Sequence, residues 1–250
     1  SVIESGLTQA TSPSGAKGFW QFLKATAKEY GLRVNHEIDE RLNVEKSTQS
    51  ACRYLKKAYR EFGSWSLAAA SYNMGMNGVR RALEKQQVNS YFDLSLNEET
   101  SRYVFRMLAI KEIMEDPKKF GFEINTNHLY PEYNLKPLNL TESISDLSKW
   151  AREKETTLKV IRRLNPWILR DRLNVNRYGD LKILIPSIPV NVTYAANNAK
   201  AVSAAEAIAK PFPVAAVVFP TASSCSVFSL TSFPIPAISD IPCALSATGP

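Results

Sequence analysis

The chain has 250 residues, 44% hydrophobic and 22% charged, which is enough for one fair-sized domain and a smaller one. A formal net charge of +7, from 31 Lys and Arg against 24 Asp and Glu, favours an anionic partner, while the lack of a dense basic stripe interleaved with aromatics argues against nucleic acid. Three cysteines without a CxxC pair, and two distant histidines without ligand spacing (His36 and His128, read as solvated loop residues), give no metal site and no cofactor signature.

The first stretch places one acid, Glu4, in a short apolar context. A turn marked by Pro13 and Gly15 follows, and then the aromatic run Phe19-Trp20-Gln21-Phe22. This pattern predicts a helix end bearing Glu4, with the loop folded back so that Gln21 and the aromatics wall the same cleft. A carboxyl against such a wall has its charged form disfavoured, so its pKa rises and it can donate a proton near neutrality. The chain opens at Ser1 with no initiator Met and is read as a fragment or a processed form.

Downstream, Trp20 to Tyr30 predicts a short helix with Phe19, Leu23 and Ala27 on one face and Gly31 as its stop. Asn43 caps a longer helix through Phe62, with Ala51, Leu55, Tyr59 and Phe62 read as core and Cys52 as a small buried residue. Asp39, Glu40 and Glu45 fall in or beside a polar loop and read as solvated surface. Trp65 to Asn73 is the next helix; its alanines at 68 to 70 allow close backbone approach. Helix resumes at Gly78 to Leu83, and Asn97 caps another from Glu98 to about Glu115, with Val104, Leu108 and Ile113 inward and Pro117 beyond its end.

The helical pattern fades from Lys118 to Leu140, where Tyr130-Pro131-Glu132-Tyr133 suggests an extended connection. A small βααβ unit follows: a strand at Leu140 to Ile144, a helix through Trp150 capped by Ser145-Asp146, a helix from Thr156 to Leu164 broken by Leu-Asn-Pro, and a strand from Asp180 to Pro186. From Val190 charges nearly vanish, seven of the 14 prolines occur, and no steady period remains. That segment reads as a disordered tail, or as a non-native extension. It also carries no net charge, so the basic surplus lies before residue 191. No run approaches the length that spans a bilayer.

Four segments in order, Glu4-Ser5, Ser12-Pro13-Ser14-Gly15-Ala16, Gly18-Phe19-Trp20-Gln21 and Ala70-Ser71-Tyr72-Asn73-Met74-Gly75, followed by Glu99-Thr100-Ser101-Arg102-Tyr103-Val104, resemble the lytic murein transglycosylases of the lysozyme-like superfamily (glycoside hydrolase family 23). The likeness is greatest to the membrane-bound murein transglycosylase D group. The βααβ unit, with its Leu-Asn-Pro and Ile-Pro, resembles a LysM module, a kind that binds N-acetylglucosamine-containing glycans. The resemblance implies a mainly α fold: a lysozyme-like transglycosylase domain at 1–138, a LysM-like module at 139–190 and a tail at 191–250. The family pattern is altered in places. The interval from Glu4 to Gln21 is one residue shorter, Leu7-Thr8-Gln9 replaces the usual Asn- or Asp-Pro, and Ser71 and Met74 stand where alanines are commoner. Three residues precede Glu4, so the helix carrying it is expected to be cut short and the activity of this chain reduced.

Glycoside cleavage usually takes two carboxylates, and the matching segments offer one acid set among amides and hydroxyls, Glu4. The resemblance accounts for this, because a single glutamic acid makes both proton transfers in that family. It implies Glu4 as catalytic acid and base, with Ser5 fixing the helix end, Ser12 near the bound acetamido group, Gln21, Tyr72 and Asn73 holding substrate, and Tyr103 beside Glu4. The implied partner is peptidoglycan, in the periplasm or cell envelope, with membrane attachment through a segment upstream of this chain. A lysozyme-type hydrolase and a catalytically inactive wall-binding protein are the alternatives.

Overall fold

Side-chain caps set where the long helices begin. In a computed structural model that describes residues 1–125, 128–129, 134–179 and 181–187, a first helical turn, α1 (Val2–Ser5), is followed by α2 (Lys24–Glu29) and α3 (Val44–Phe62). The Asn43 side chain accepts from the Lys46 amide at 3.0 Å to start α3, and Gly63 ends it in the left-handed region at φ 67°. Helices α4 (Trp65–Met74) and α5 (Met76–Gln86) follow, the first capped by Ser64. Asn97 then starts α6 (Glu98–Glu115), its side chain accepting from the Thr100 amide at 2.8 Å. No helix among the described residues is long and apolar enough to cross a membrane.

Helix α4 is the centre of this half, packed against α3, α5 and α6. Its alanines at 68, 69 and 70 are buried, and their small side chains let the neighbouring helices close in. On α3 the buried residues are Ser47, Ser50, Ala51, Tyr54 and Ala58; of the expected stripe Ala51 is buried, Leu55 and Phe62 are partly buried against the core, and Tyr59 is not. Tyr59 is exposed and stacks on Trp65 with ring centroids 4.3 Å apart, while Cys52 is only half-buried. The helix expected from Trp20 starts instead at Lys24. Gln21 takes a positive φ of 47°, and Lys17 donates its amide to Phe22 O at 3.1 Å, so residues 15–22 close as a loop. Leu23, expected on the core face, is exposed.

Asp39 and Glu40 are each 2% exposed, not solvated surface. Glu40 pairs with Arg33 and Lys46, and Asp39 pairs with Arg41. Burial alone would raise the Glu40 carboxyl, but the hydrogen bonds from Arg33 and Lys46 outweigh it and hold the pKa below the ordinary value. Glu45 does lie on the surface.

In the C-terminal part, β1 (Leu135–Asn139) pairs antiparallel with β2 (Lys182–Pro186), from Leu135 opposite Pro186 to Asn139 opposite Lys182. Between them lie α7 (Leu147–Glu153), α8 (Leu158–Leu164) and a single turn, α9 (Val175–Tyr178). The first strand is therefore earlier than Leu140–Ile144. Pro137 hid it, because proline lacks a ladder donor and is at home only on edges; in a two-stranded sheet every strand is an edge. Ile144 keeps one isolated bridge, to Leu173. The Leu-Asn-Pro break has a structural reason: Asn165 is fully buried, donating to Ile161 O (2.9 Å) and Leu184 O (2.8 Å) and accepting from the Leu184 amide (2.8 Å). Leu147, Ile161, Leu181 and Ile183 form the core, and Ile38 from the N-terminal half joins them. The connection expected at Tyr130 to Tyr133, the segment from 191 onward, and Cys225 and Cys243 lie outside the described residues.

Candidate active site

The expected acid sits on α1, and α6 meets it there. Tyr103, 7% exposed, donates its hydroxyl to Glu4 Oε1 across 99 residues of sequence. Glu4 is itself half-buried. Burial pushes its carboxyl above the ordinary glutamate range; the Tyr103 hydroxyl and then the Ser1 amino group pull the other way, and Glu99 adds a smaller push upward. The same burial, and then the nearby Glu4 charge, raise the Tyr103 and Tyr72 phenols. Glu4 therefore has a site that favours its protonated form, beside phenols that stay protonated.

The loop from 15 to 22 is tied beside this acid by two side chains that grip its backbone. Ser5 Oγ donates to Phe19 O at 3.0 Å, tying α1 to the loop. Tyr72, at the end of α4, donates its hydroxyl to Trp20 O at 2.8 Å and lies edge-on to Trp20, Phe22 and Tyr54. Trp20 in turn donates its indole N–H to Thr48 Oγ1 at 2.8 Å. The loop is thus held from three helices.

The remaining expected residues have local partners. Gln21 Nε2 donates to Gly18 O (2.8 Å) and Ala10 O (3.1 Å), so its amide end braces its own loop. Ser12 Oγ accepts from the Ala16 amide at 3.0 Å and lies 2.9 Å from Ser14 Oγ, on the turn before the loop; its hydrogen bonds among the described residues do not reach Glu4. Asn73 accepts from Thr100 Oγ1 at 2.7 Å and donates to Glu99 Oε1 at 3.1 Å, which makes it a tie between α4 and α6. Glu99 and Thr100 were in the motif around Tyr103 yet were assigned no role; their signal was their place one turn before it on α6. Arg41 and Asp39, which hold the loop from below, had no motif to announce them.

A helical lysozyme-like domain with a half-buried carboxyl held by a tyrosine, joined to a small module of two paired strands enclosing short helices, is the class of protein that fold and site define. Residues 2–94 match the transglycosylase SLT domain, and residues 136–188 match the soluble lytic transglycosylase C-terminal LysM-like domain. The chain thus contains a segment that matches the SLT domain, followed by one that matches the LysM-like domain. Among curated proteins it is similar to the membrane-bound lytic murein transglycosylase D of Escherichia coli K12, 32% identical over 131 residues, covering 50% of this chain and 29% of that protein. The counterpart in Escherichia coli O6:H1 gives the same figures. The peptidoglycan transglycosylase gp16 of Escherichia phage T7 is 35% identical over 106 residues, 40% of this chain and 8% of that one. The chain spans less than a third of the length of these relatives.

Proposed function

We propose that the chain is a peptidoglycan lytic transglycosylase of the bacterial cell envelope. The observation that carries this reading is Glu4, half-buried, raised in pKa and held by the Tyr103 hydroxyl inside an SLT domain. Glu4 in its protonated form donates to the oxygen linking N-acetylmuramic acid to N-acetylglucosamine, and the bond from that oxygen to C1 breaks. The acetamido group of the same sugar covers C1 as an oxazolinium. Glu4, now a carboxylate, takes the proton of the C6 hydroxyl as O6 closes onto C1. The product is a 1,6-anhydro end, Glu4 is protonated again, and no water is consumed. Tyr103 holds the carboxylate between the two transfers, while Ser5 and Tyr72 keep the loop carrying Gln21 over the cleft. Ser12 lies near the acetamido group in this reading, and Asn73 orients the sugar from the end of α4.

The domains divide the work as 1–138 for cleavage and 139–190 for glycan binding, with no resident cofactor.

A hydrolase is the second reading, and Glu99 is what favours it: a second carboxylate close enough to Glu4 to influence its charge. Product analysis separates the two. Digestion of purified peptidoglycan followed by mass spectrometry is expected to give anhydro ends, one water lighter than reducing ends, and Glu4→Gln is expected to lower the rate by at least about 10²-fold. Reducing ends would turn the reading to hydrolysis, and an undiminished Glu4→Gln rate would remove Glu4 as the acid.

A further inference from the structure

The core of the C-terminal module includes side chains that do not come from it: Ile38, with Leu42 partly buried against the same cluster. Ile38, fully buried, belongs to the same hydrophobic cluster as Trp167, Ile168 and Leu181. Its neighbours are fastened by backbone bonds: the Asp39 amide donates to Trp167 O (2.9 Å) and the Leu169 amide to Glu37 O (2.8 Å), forming a bridge of Ile38 with Ile168. Arg33 Nη1 donates to Tyr178 O at 2.7 Å, and the Tyr178 hydroxyl donates to Glu37. The module therefore holds residues 33–39 as an added edge of its own structure.

The same segment reaches the candidate site. Asp39 accepts two parallel bonds from Arg41, from Nε at 2.9 Å and from Nη2 at 2.8 Å. Such a forked pair fixes the plane of the guanidinium and leaves Nη1 free to point one way. Arg41 Nη1 donates to Gly15 O (2.9 Å) and to Phe22 O (3.1 Å), the two ends of the loop that Ser5 and Tyr72 grip from the other side. The loop also rests on Arg41 itself: a side chain at Gly18 would place its first carbon 2.1 Å from Arg41 O. Arg41 is 5% and Asp39 2% exposed, so neither charge has water to fall back on.

We propose that Arg41 is a positioning residue for the loop over Glu4, and that the C-terminal module acts on the site through Ile38, Asp39 and Arg41. The module is then a strut of the catalytic half as well as a glycan-binding unit. The structural part stands on the contacts above; its catalytic consequence rests on the transglycosylase reading.

The test uses the full chain with Ile38→Ala, Arg41→Met and Arg41→Lys, and follows amide hydrogen exchange by mass spectrometry. The amides of Lys17, Gly18 and Gln21 are hydrogen-bonded within or beside the loop, so they report on it directly. Exchange of the 15–22 peptide is expected to quicken about tenfold or more in Ile38→Ala and Arg41→Met while peptides of α3 and α6 keep their protection, with Arg41→Lys recovering part of the loss. On short soluble glycan strands, kcat is expected to fall about tenfold with KM changed less than about twofold, because alignment and not affinity is lost. Unchanged exchange at 15–22 in both variants overturns the proposal, and so does a uniform loss of protection through α3 and α6, which marks a merely structural role. Should the unmodified chain cleave nothing, the transglycosylase reading fails while the exchange result still decides this one.

Discussion

At the residue scale, Glu4 is a carboxyl that the folded protein prefers protonated. Burial penalises its charge more than the Tyr103 hydroxyl helps it, so its folded pKa lies above the ordinary value, whereas in the unfolded chain it titrates near about 4.3. Between those two values the folded state holds the extra proton. Stability from this group is fully present below the unfolded pKa and is lost as pH rises through the folded one. Glutamine in its place does not titrate and can accept the same Tyr103 bond. Glu4→Gln is therefore expected to melt higher than the unmodified protein at pH 7, with the gap closing as pH falls below about 4. Thermal melts across that range check it, and a gap that stays constant with pH would remove burial of the charge as its cause. In the reading proposed above, such a site gives up stability so that Glu4 can act as a general acid.

At the element scale, the tie between α4 and α6 brings Tyr103 to Glu4. Thr100, fully buried, is the hinge of that tie: its amide satisfies Asn97 at the cap of α6 and its hydroxyl donates to Asn73 at the end of α4. Thr100→Val keeps the shape and removes the donor, leaving Asn73 Oδ1 short of a partner. The expected loss is about 1–2 kcal/mol in urea denaturation, with no change at the Asn97 cap because the amide remains. A variant as stable as the parent would mean that Asn73 is held by Glu99 alone. Caps and periodicity made α3, α4, α5 and α6 legible in the sequence, since Asn43, Gly63 and Asn97 act within a few residues of where they stand. The start of α2 was not legible: the loop before it is shaped by Arg41, 19 residues beyond Phe22, and no local propensity records that bond. The strand at Leu135–Asn139 was missed for the opposite reason, a local proline signal that the two-stranded sheet overrules.

At the scale of the whole molecule, the acid and its tyrosine were legible because a motif carries them, and the joining of the two halves was not. Ile38 sits between acids and a histidine in a stretch that looks like surface, and only the far side of its contact, near Trp167, explains why it and Asp39 are buried. Charge is the other property of the whole chain. The surplus of +7 lies before residue 191, on the part that carries both the SLT and the LysM-like domains. If peptidoglycan is the partner, two kinds of force hold it there: short-range contacts of sugars with the cleft and module, and long-range attraction of the basic surface to carboxylates of the wall. Salt separates them, because the screening length shrinks from roughly 10 Å at 0.1 M to about 3 Å at 1 M while sugar contacts are nearly indifferent to it. Sedimentation with insoluble peptidoglycan, using Glu4→Gln so that the wall is not consumed, is expected to show affinity falling several-fold, but not to zero, between low salt and 1 M. Complete loss would make attraction to charge the whole of binding and leave the module no glycan to hold. No change at all would make the basic surface irrelevant to the wall, and the balance of Lys and Arg over Asp and Glu would need another partner to explain it.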